Sequence, residues 1–101
     1  MTTTKFSPGD RVHKIKLANN RQYAIVDGND FPILAMFSWR SDGKGYASTT
    51  LPRILGGKTI KMHQMVVRWL CNKNQKRHYC FEIDHINRNR LDNRRQNLRL
   101  V

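Results

Sequence analysis

The sequence has few cysteines, few acidic residues and no long apolar run. Two cysteines, Cys71 and Cys80, are too few for the disulfide framework of a small secreted domain. No apolar stretch approaches the roughly 20 residues that span a bilayer, and residues 1–10 lack the apolar centre of a signal peptide. We therefore expect a soluble, intracellular protein with no membrane partner.

The shortage of acidic residues leaves a large positive charge. The chain has 19 Lys and Arg against 7 Asp and Glu, a formal net charge of +12. Residues 51–101 hold 12 of the basic groups and 3 of the acidic ones, so the second half is the more basic. Such a density of positive charge suits a polyanion, of which nucleic acid is the commonest. A basic surface that serves only solubility, as in ribosomal-type proteins, is the alternative.

A length of 101 residues fits one domain with a single modest core. The hydrophobic patterns predict an α+β fold with a polar, flexible arm over residues 1–10, a β-rich N-terminal subdomain over 11–57 and a second subdomain over 58–101. The predicted strands lie at 11–17, 23–27, 38–40, 45–50, 58–62, 79–83 and 98–101. The predicted helices lie at 31–37, with Asp30 as its cap, and at 63–71, and an ordered loop covers 87–96.

The segment 82–99 is the most informative part of the chain. It contains Asp84 beside His85, then a polar loop that leads to Asn97. A neutral imidazole can take a proton from water near neutral pH, and a carboxylate suits a hard divalent ion such as Mg²⁺. Phosphodiester hydrolysis needs both, together with groups that hold the phosphates. Five arginines of this segment are candidates for phosphate contact: Arg88, Arg90, Arg94, Arg95 and Arg99.

These residues resemble the HNH endonucleases, in particular the small homing-type enzymes common in bacteriophage genomes. The resemblance rests on three short stretches of the segment, which read Asp84-His85-Ile86-Asn87, Leu91-Asp92-Asn93-Arg94 and Asn97-Leu98-Arg99. The upstream half matches more loosely, through 23–27, Trp39, the Gly45-Tyr46-Ala47 stretch and 58–66. His63 also matches, whereas Gln64 departs from the arginine frequent at that position.

The resemblance implies a ββα-metal fold and a metal-dependent DNA endonuclease that uses Mg²⁺ or Mn²⁺. It implies His85 as the general base, Asp84 as the metal ligand and Asn97 as the residue that pins the loop and orients His85. The implied substrate is double-stranded DNA, and the implied location is the cytoplasm of an infected bacterium. The second metal ligand of the family lies on a helix after Asn-Leu-Arg, and the sequence ends at Val101 before that position.

Three alternatives stay open. The missing helix also fits a non-catalytic module derived from an HNH nuclease, which binds DNA or inhibits a host protein. Structural zinc on Cys71, His78, Cys80 and His85 has donors of the right kind at an unusual spacing. The partner could also be a second copy of the chain, since many nucleases dimerise to cut both strands.

Overall fold

The computed structural model describes residues 11–70 and 82–101. Two antiparallel strands, β1 (Val12–Lys16) and β2 (Tyr23–Asp27), form an N-terminal hairpin. A short helix α1 (Phe31–Leu34) follows, and then a three-stranded antiparallel sheet of β3 (Arg40–Ser41), β4 (Ala47–Thr50) and β5 (Thr59–Lys61). A 3-10 helix, Arg53–Leu55, connects β4 to β5.

Helix α2 (Met62–Met65) continues directly as a π-helical segment, Val66–Leu70. The chain then returns as a second hairpin, in which β6 (Ile83–His85) pairs with β7 (Leu98–Leu100) in antiparallel register. A 3-10 helix, Arg95–Asn97, leads into β7. The predicted α+β class is thus confirmed. Among the described residues no helix is long and apolar enough to cross a bilayer.

Several predicted bounds were wrong. The strand expected to end at Ile83 instead covers Ile83–His85, so Asp84 and His85 belong to the strand itself. The predicted 31–37 helix is a single turn, and Asp30 makes no capping hydrogen bond there because its carboxylate is bound by an arginine from the second half. The predicted helix at 63–71 is partly π-helical rather than α-helical. Residues 1–10, 71–78 and 79–81, with the predicted arm and three of the four zinc donors, lie outside the described part.

One apolar core lies between the helices and the sheets. Trp39, buried to 1% exposure, donates its indole N–H to the Leu34 carbonyl over 2.7 Å, so its polar atom is paired inside the core. The core draws on both predicted subdomains, 11–57 and 58–101. Its members are Ile15, Leu17, Ala24, Val26, Leu34, Trp39, Ala47, Leu51, Met62, Met65, Val66, Val67, Leu91 and Leu98.

The N-terminal half also holds the loop between β6 and β7 in place. The amide of Ile25 donates to the Leu91 carbonyl and the amide of Asn93 donates to the Ile25 carbonyl, each over 2.7 Å. Arg90 donates to the Lys44 carbonyl over 2.6 Å and packs against Gly45, where an added Cβ would lie 3.2 Å from its Cδ. Gly45 has φ +95°, so its lack of a side chain serves both the turn and this close approach. The loop is therefore fixed by contacts with residues 45 to 68 positions earlier in the chain, as well as by its own hydrogen bonds.

Candidate phosphate-binding site

The register of the second hairpin determines which side chains meet. Asp84 lies opposite Arg99 and His85 opposite Leu98. Because successive residues of a strand face opposite sides, Asp84 and Arg99 share the exposed side, whereas His85 turns inward and is 5% exposed. His85 is also the last residue of β6, where the backbone turns into the loop. Both Asp84 and His85 consequently line one pocket.

This pocket, the Asp84–His85 pocket, has a volume of about 400 Å³. Its polar lining comes from the hairpin, from the loop and from one aromatic residue of the N-terminal half, Tyr46. Three of the five predicted phosphate-binding arginines reach it. The lining residues are Tyr46, Ile83, Asp84, His85, Ile86, Arg88, Arg90 and Arg99. A concave surface with three guanidinium groups and one carboxylate can hold a phosphate group or a carboxylate-bound cation.

The imidazole of His85 is oriented by Asn93. Its Nε2 lies 2.8 Å from Asn93 Oδ1, and Asn93 is 1% exposed. An amide oxygen can only accept, so Nε2–H donates this bond and the lone pair stays on Nδ1. Nδ1 is therefore the nitrogen of this ring that can accept a proton. The amide nitrogen of Asn93, Nδ2, is buried and finds no hydrogen-bond partner within residues 11–70 and 82–101. Leaving such a group unpaired costs about 1–3 kcal/mol.

Asn97 has only part of the predicted role. Its Nδ2 donates to Asn87 Oδ1 and to the Asp92 carbonyl, both over 2.9 Å, and its Oδ1 accepts from the Asn87 amide over 3.0 Å. Asn97 therefore pins the loop, as predicted. The prediction that it also orients His85 was wrong, because Asn93 occupies that position. Asn87 and Asn89 also hold the loop, because their side-chain oxygens accept hydrogen bonds from the amides two residues ahead.

Arg94 and Arg95 do not reach the Asp84–His85 pocket. Arg94 donates two bonds of 2.7 Å to Asp92, which is 3% exposed. Burial raises the pKa of Asp92, but the hydrogen bonds from Arg94 and Asn87 lower that pKa by more than burial raises it. The carboxyl therefore titrates below its ordinary range. Arg95 binds Asp30, which is 1% exposed, through Nε and Nη2. Phosphate contact was predicted for both, and the structure instead shows them neutralising buried carboxylates.

Arg99 is paired more loosely. Its Nε and Nη2 lie 3.0 and 2.9 Å from Asp84 Oδ2, and both side chains are exposed, at 59% and 43%. Exposed pairs of this kind contribute at most about 1 kcal/mol, so a cation or a phosphate can compete for either partner. Arg88 adopts φ +65° in the first turn of the loop, an uncommon conformation for a residue other than glycine. Its exposed side chain lines the pocket.

Three further residues at this site, Tyr46, Lys61 and His63, were not selected from the sequence as functional. Tyr46 lies next to both His63 and His85, with ring centroids 5.2 and 6.0 Å away, and the two histidine rings are 5.0 Å apart. Lys61 Nζ and the guanidinium carbon of Arg90 lie over the Tyr46 ring at 4.7 and 4.8 Å. The only sequence signal for Tyr46 was its place in the Gly45-Tyr46-Ala47 stretch, because the contacts themselves are long-range.

His63 should make the stability of the protein dependent on pH. Burial, with further contributions from His85 and Lys61, lowers the pKa of His63 to about 3, from 6.5. The unfolded chain therefore takes up this proton at a higher pH than the folded chain. The stabilisation is complete above pH 6.5 and is lost as the pH falls toward 3, by at most about 1.4 kcal/mol per pH unit. Urea unfolding between pH 7.5 and 5.5 should show this fall in the wild type and a flatter dependence in His63→Gln.

The same pH slope in both proteins would show that His63 carries no such linkage. The carboxyls of Asp42 and Asp92, whose pKa values are also lowered, start from 3.8 in the unfolded chain and act mainly below this pH range.

No group of three or more His, Cys, Asp and Glu side chains that could hold a metal occurs in the described part of the chain. Asp84 is thus the single carboxylate of the Asp84–His85 pocket. Mg²⁺ commonly binds through one or two carboxylates, several waters and substrate phosphates, and the pocket has the volume for such an arrangement. The donor set therefore fits a loosely held hard divalent ion.

Searches for similar proteins identified no relative of this chain. No family model, no curated protein and no solved structure matches the sequence or the fold.

Proposed function

We propose that the protein is a metal-dependent DNA endonuclease of the HNH type, which hydrolyses phosphodiester bonds at the Asp84–His85 pocket. The observation that carries the proposal is the His85–Asn93 hydrogen bond, which leaves Nδ1 of a buried histidine as the basic nitrogen of a pocket lined by three arginines. The resemblance of residues 84–99 to the HNH endonucleases and the net charge of +12 support it independently.

In this proposal His85 Nδ1 accepts a proton from the attacking water. Asn93 keeps the ring in the correct tautomer and orientation, and Asn97 keeps the loop closed. Arg88, Arg90 and Arg99 bind the phosphate oxygens. Asp84 would hold Mg²⁺ or Mn²⁺ together with the substrate, and the ion would neutralise charge on the phosphate and on the leaving oxygen. Arg99 would then release Asp84 and bind a phosphate oxygen instead.

Supercoiled plasmid provides the direct test. Purified protein should nick or linearise it with Mg²⁺ or Mn²⁺, and excess chelator should stop the reaction. Binding to a duplex oligonucleotide should weaken steeply with salt, because counterions are released from the phosphates. Cleavage that proceeds unchanged in chelator would contradict the metal-dependent mechanism.

A non-catalytic DNA-binding module is the second candidate. It is favoured by the single carboxylate of the pocket and by the ion pair that already engages it. Such a module should bind duplex DNA equally well with and without chelator and should never nick the plasmid. If the protein binds no DNA at any salt concentration, both the endonuclease and the DNA-binding module are excluded. A host protein would then be the partner.

A further inference from the structure

A second basic pocket lies beside the Asp84–His85 pocket. This Lys61–Arg68 pocket has a volume of about 230 Å³ and also contains His63 and Gln64. Most of its lining comes from β5 and from the helix that begins at Met62, and Glu82 and Ile83 at the start of the second hairpin complete it. Tyr46 and Ile83 line both pockets, which therefore share a wall.

One cation of each pocket lies over the ring of Tyr46. Lys61 of the second pocket lies 4.7 Å from the Tyr46 centroid, and Arg90 of the first lies 4.8 Å from it. Because both distances are measured to the same ring centroid, Lys61 Nζ and the guanidinium carbon of Arg90 are at most about 9.5 Å apart. Each nucleotide of a strand carries one phosphate, so a strand bound at one of these cations brings a neighbouring phosphate close to the other.

Arg68 differs from three arginines of the second hairpin and its loop. Arg94, Arg95 and Arg99 each pair with an aspartate, whereas no carboxylate of the described residues pairs with Arg68. Its Nε is buried and has no hydrogen-bond acceptor there. A buried guanidinium N–H without an acceptor is costly, and an anion in the pocket would provide the missing negative charge.

The other charges of the pocket restrict the kind of anion. Glu82 lines it as well and is exposed. With His63 neutral, the lining has one negative and two positive groups, a net charge of about +1, and Asp42 Oδ2 lies 3.8 Å from Lys61 Nζ and offsets part of that charge. A phosphodiester carries one negative charge, whereas a phosphate monoester carries nearly two at neutral pH. The net charge of the pocket therefore matches the single charge of a phosphodiester better than the charge of a terminal phosphate or of free inorganic phosphate.

We propose that the Lys61–Arg68 pocket is a second phosphate site, which binds a backbone phosphodiester of the same DNA strand that occupies the Asp84–His85 pocket, with Tyr46 between the two. This inference rests on the proposed function for its substrate, but not on cleavage. The two positively charged side chains act on one phosphate, and Gln64, which bonds the Lys61 amide over 3.0 Å, keeps the strand and the helix in register.

Salt dependence of binding tests the proposal without requiring catalysis. A fluorescent 20-base-pair duplex is titrated in excess chelator at several salt concentrations, and the slope of log affinity against log salt is measured. Lys61→Ala and Arg68→Gln should each lower the slope by about one, since one phosphate contact contributes about 0.9. In the variant with both substitutions the slope should also fall by about one and not by two, because both side chains bind the same phosphate. Lys58→Ala, which removes the same charge from an exposed position outside both pockets, is the matched control.

Unchanged slopes in both single variants would overturn the proposal, and so would an equal loss in Lys58→Ala. A loss of about two in the double variant would overturn the shared site. If Arg68→Gln fails to fold, Lys61→Ala and Lys61→Gln carry the comparison, because Lys61 is 37% exposed in its side chain. Dimethyl phosphate should also shift the NMR signals of the His63 ring more than inorganic phosphate does, and the reverse order would contradict the choice of a diester. A protein that shows these effects but never nicks plasmid retains the second site and loses the endonuclease function.

Discussion

Replacing His85 by alanine should lower the rate of metal-dependent plasmid cleavage by about 100- to 10,000-fold, the contribution that a positioned general base makes. The reason is geometric, because Nδ1 of His85 is the basic nitrogen that the bond to Asn93 leaves available. Nicking rates measured over a range of enzyme concentrations provide the comparison. Circular dichroism of the same samples should show a folded protein, although the side-chain oxygen of Asn93 loses the bond from His85.

Two controls separate a chemical role of His85 from a structural one. Added imidazole should restore part of the activity of His85→Ala, which no purely structural role would allow. His13→Ala should leave the rate unchanged, because His13 stacks on Phe31 in the N-terminal part of the chain and does not line the Asp84–His85 pocket. A His85→Ala protein that cleaves within tenfold of the wild-type rate would remove this residue from the mechanism.

Asn93→Ala should cause a smaller loss, because Asn93 positions the imidazole and does not contact the phosphate. The ¹⁵N shifts of the His85 ring should report hydrogen on Nε2 in the wild type, and the two tautomers should mix in the variant.

Replacing Arg95 by alanine should destabilise the protein by about 2–4 kcal/mol. Breaking a buried ion pair leaves an uncompensated charge, which costs about 3–5 kcal/mol, and the partial exposure of Arg95 reduces this. Asp30 is 1% exposed and lies 65 positions earlier in the chain, so the pair ties the loop to helix α1. Chemical denaturation, with the free energy of unfolding extrapolated to water, measures the effect.

Arg99→Ala is the matched control for Arg95→Ala. It removes the same side chain from a pair with an aspartate, but both partners are exposed, so the change in the free energy of unfolding should stay below about 1 kcal/mol. Adding Asp30→Asn to Arg95→Ala should recover part of the loss, because an unpaired amide costs less to bury than an unpaired carboxylate. Equal destabilisation by Arg95→Ala and Arg99→Ala would show that the buried Asp30–Arg95 pair contributes no more to the free energy of unfolding than the exposed Asp84–Arg99 pair. Arg99→Ala should nevertheless weaken the binding of duplex DNA, because Arg99 is one of the arginines proposed to bind phosphate. This loss of affinity should be larger than the small change in folding stability explains.

Much of the fold follows from local patterns. The strand predicted over 23–27 has the observed bounds of β2. The helical spacing of Met62, Met65, Val66, Trp69 and Leu70 predicted one apolar face in the core. The first three are buried and Leu70 packs against the core, whereas Trp69 is 47% exposed. The turn at Asp42-Gly43 follows in the same way from its own residues, because Asp and Gly have strong local preferences for turns. Bounds were less accurate where long-range contacts compete with local ones. Asp30 was predicted to cap a helix, and Arg95 binds its carboxylate instead.

The candidate site shows the same division. Asp84, His85 and five arginines were selected from the sequence because their chemistry is specific and their spacing is short. Asp84, His85 and three of the arginines line one pocket. Asn93 and Asn97 are both asparagines of the same loop, and no local pattern distinguishes the one that meets His85 from the one that closes the loop. Tyr46, which separates the two basic pockets, comes from the other half of the chain.

The sequence by itself determined the α+β class, the positive charge and the residues whose chemistry suits phosphate. These properties depend on composition and on neighbours a few positions apart. Only the tertiary structure decided which arginines are available, because Arg94 and Arg95 are engaged by the buried carboxylates of Asp92 and Asp30 while Arg88 and Arg90 stay at the pocket. A guanidinium has the same charge in every sequence context. What it can bind depends on the carboxylates that the fold brings within 3 Å of it.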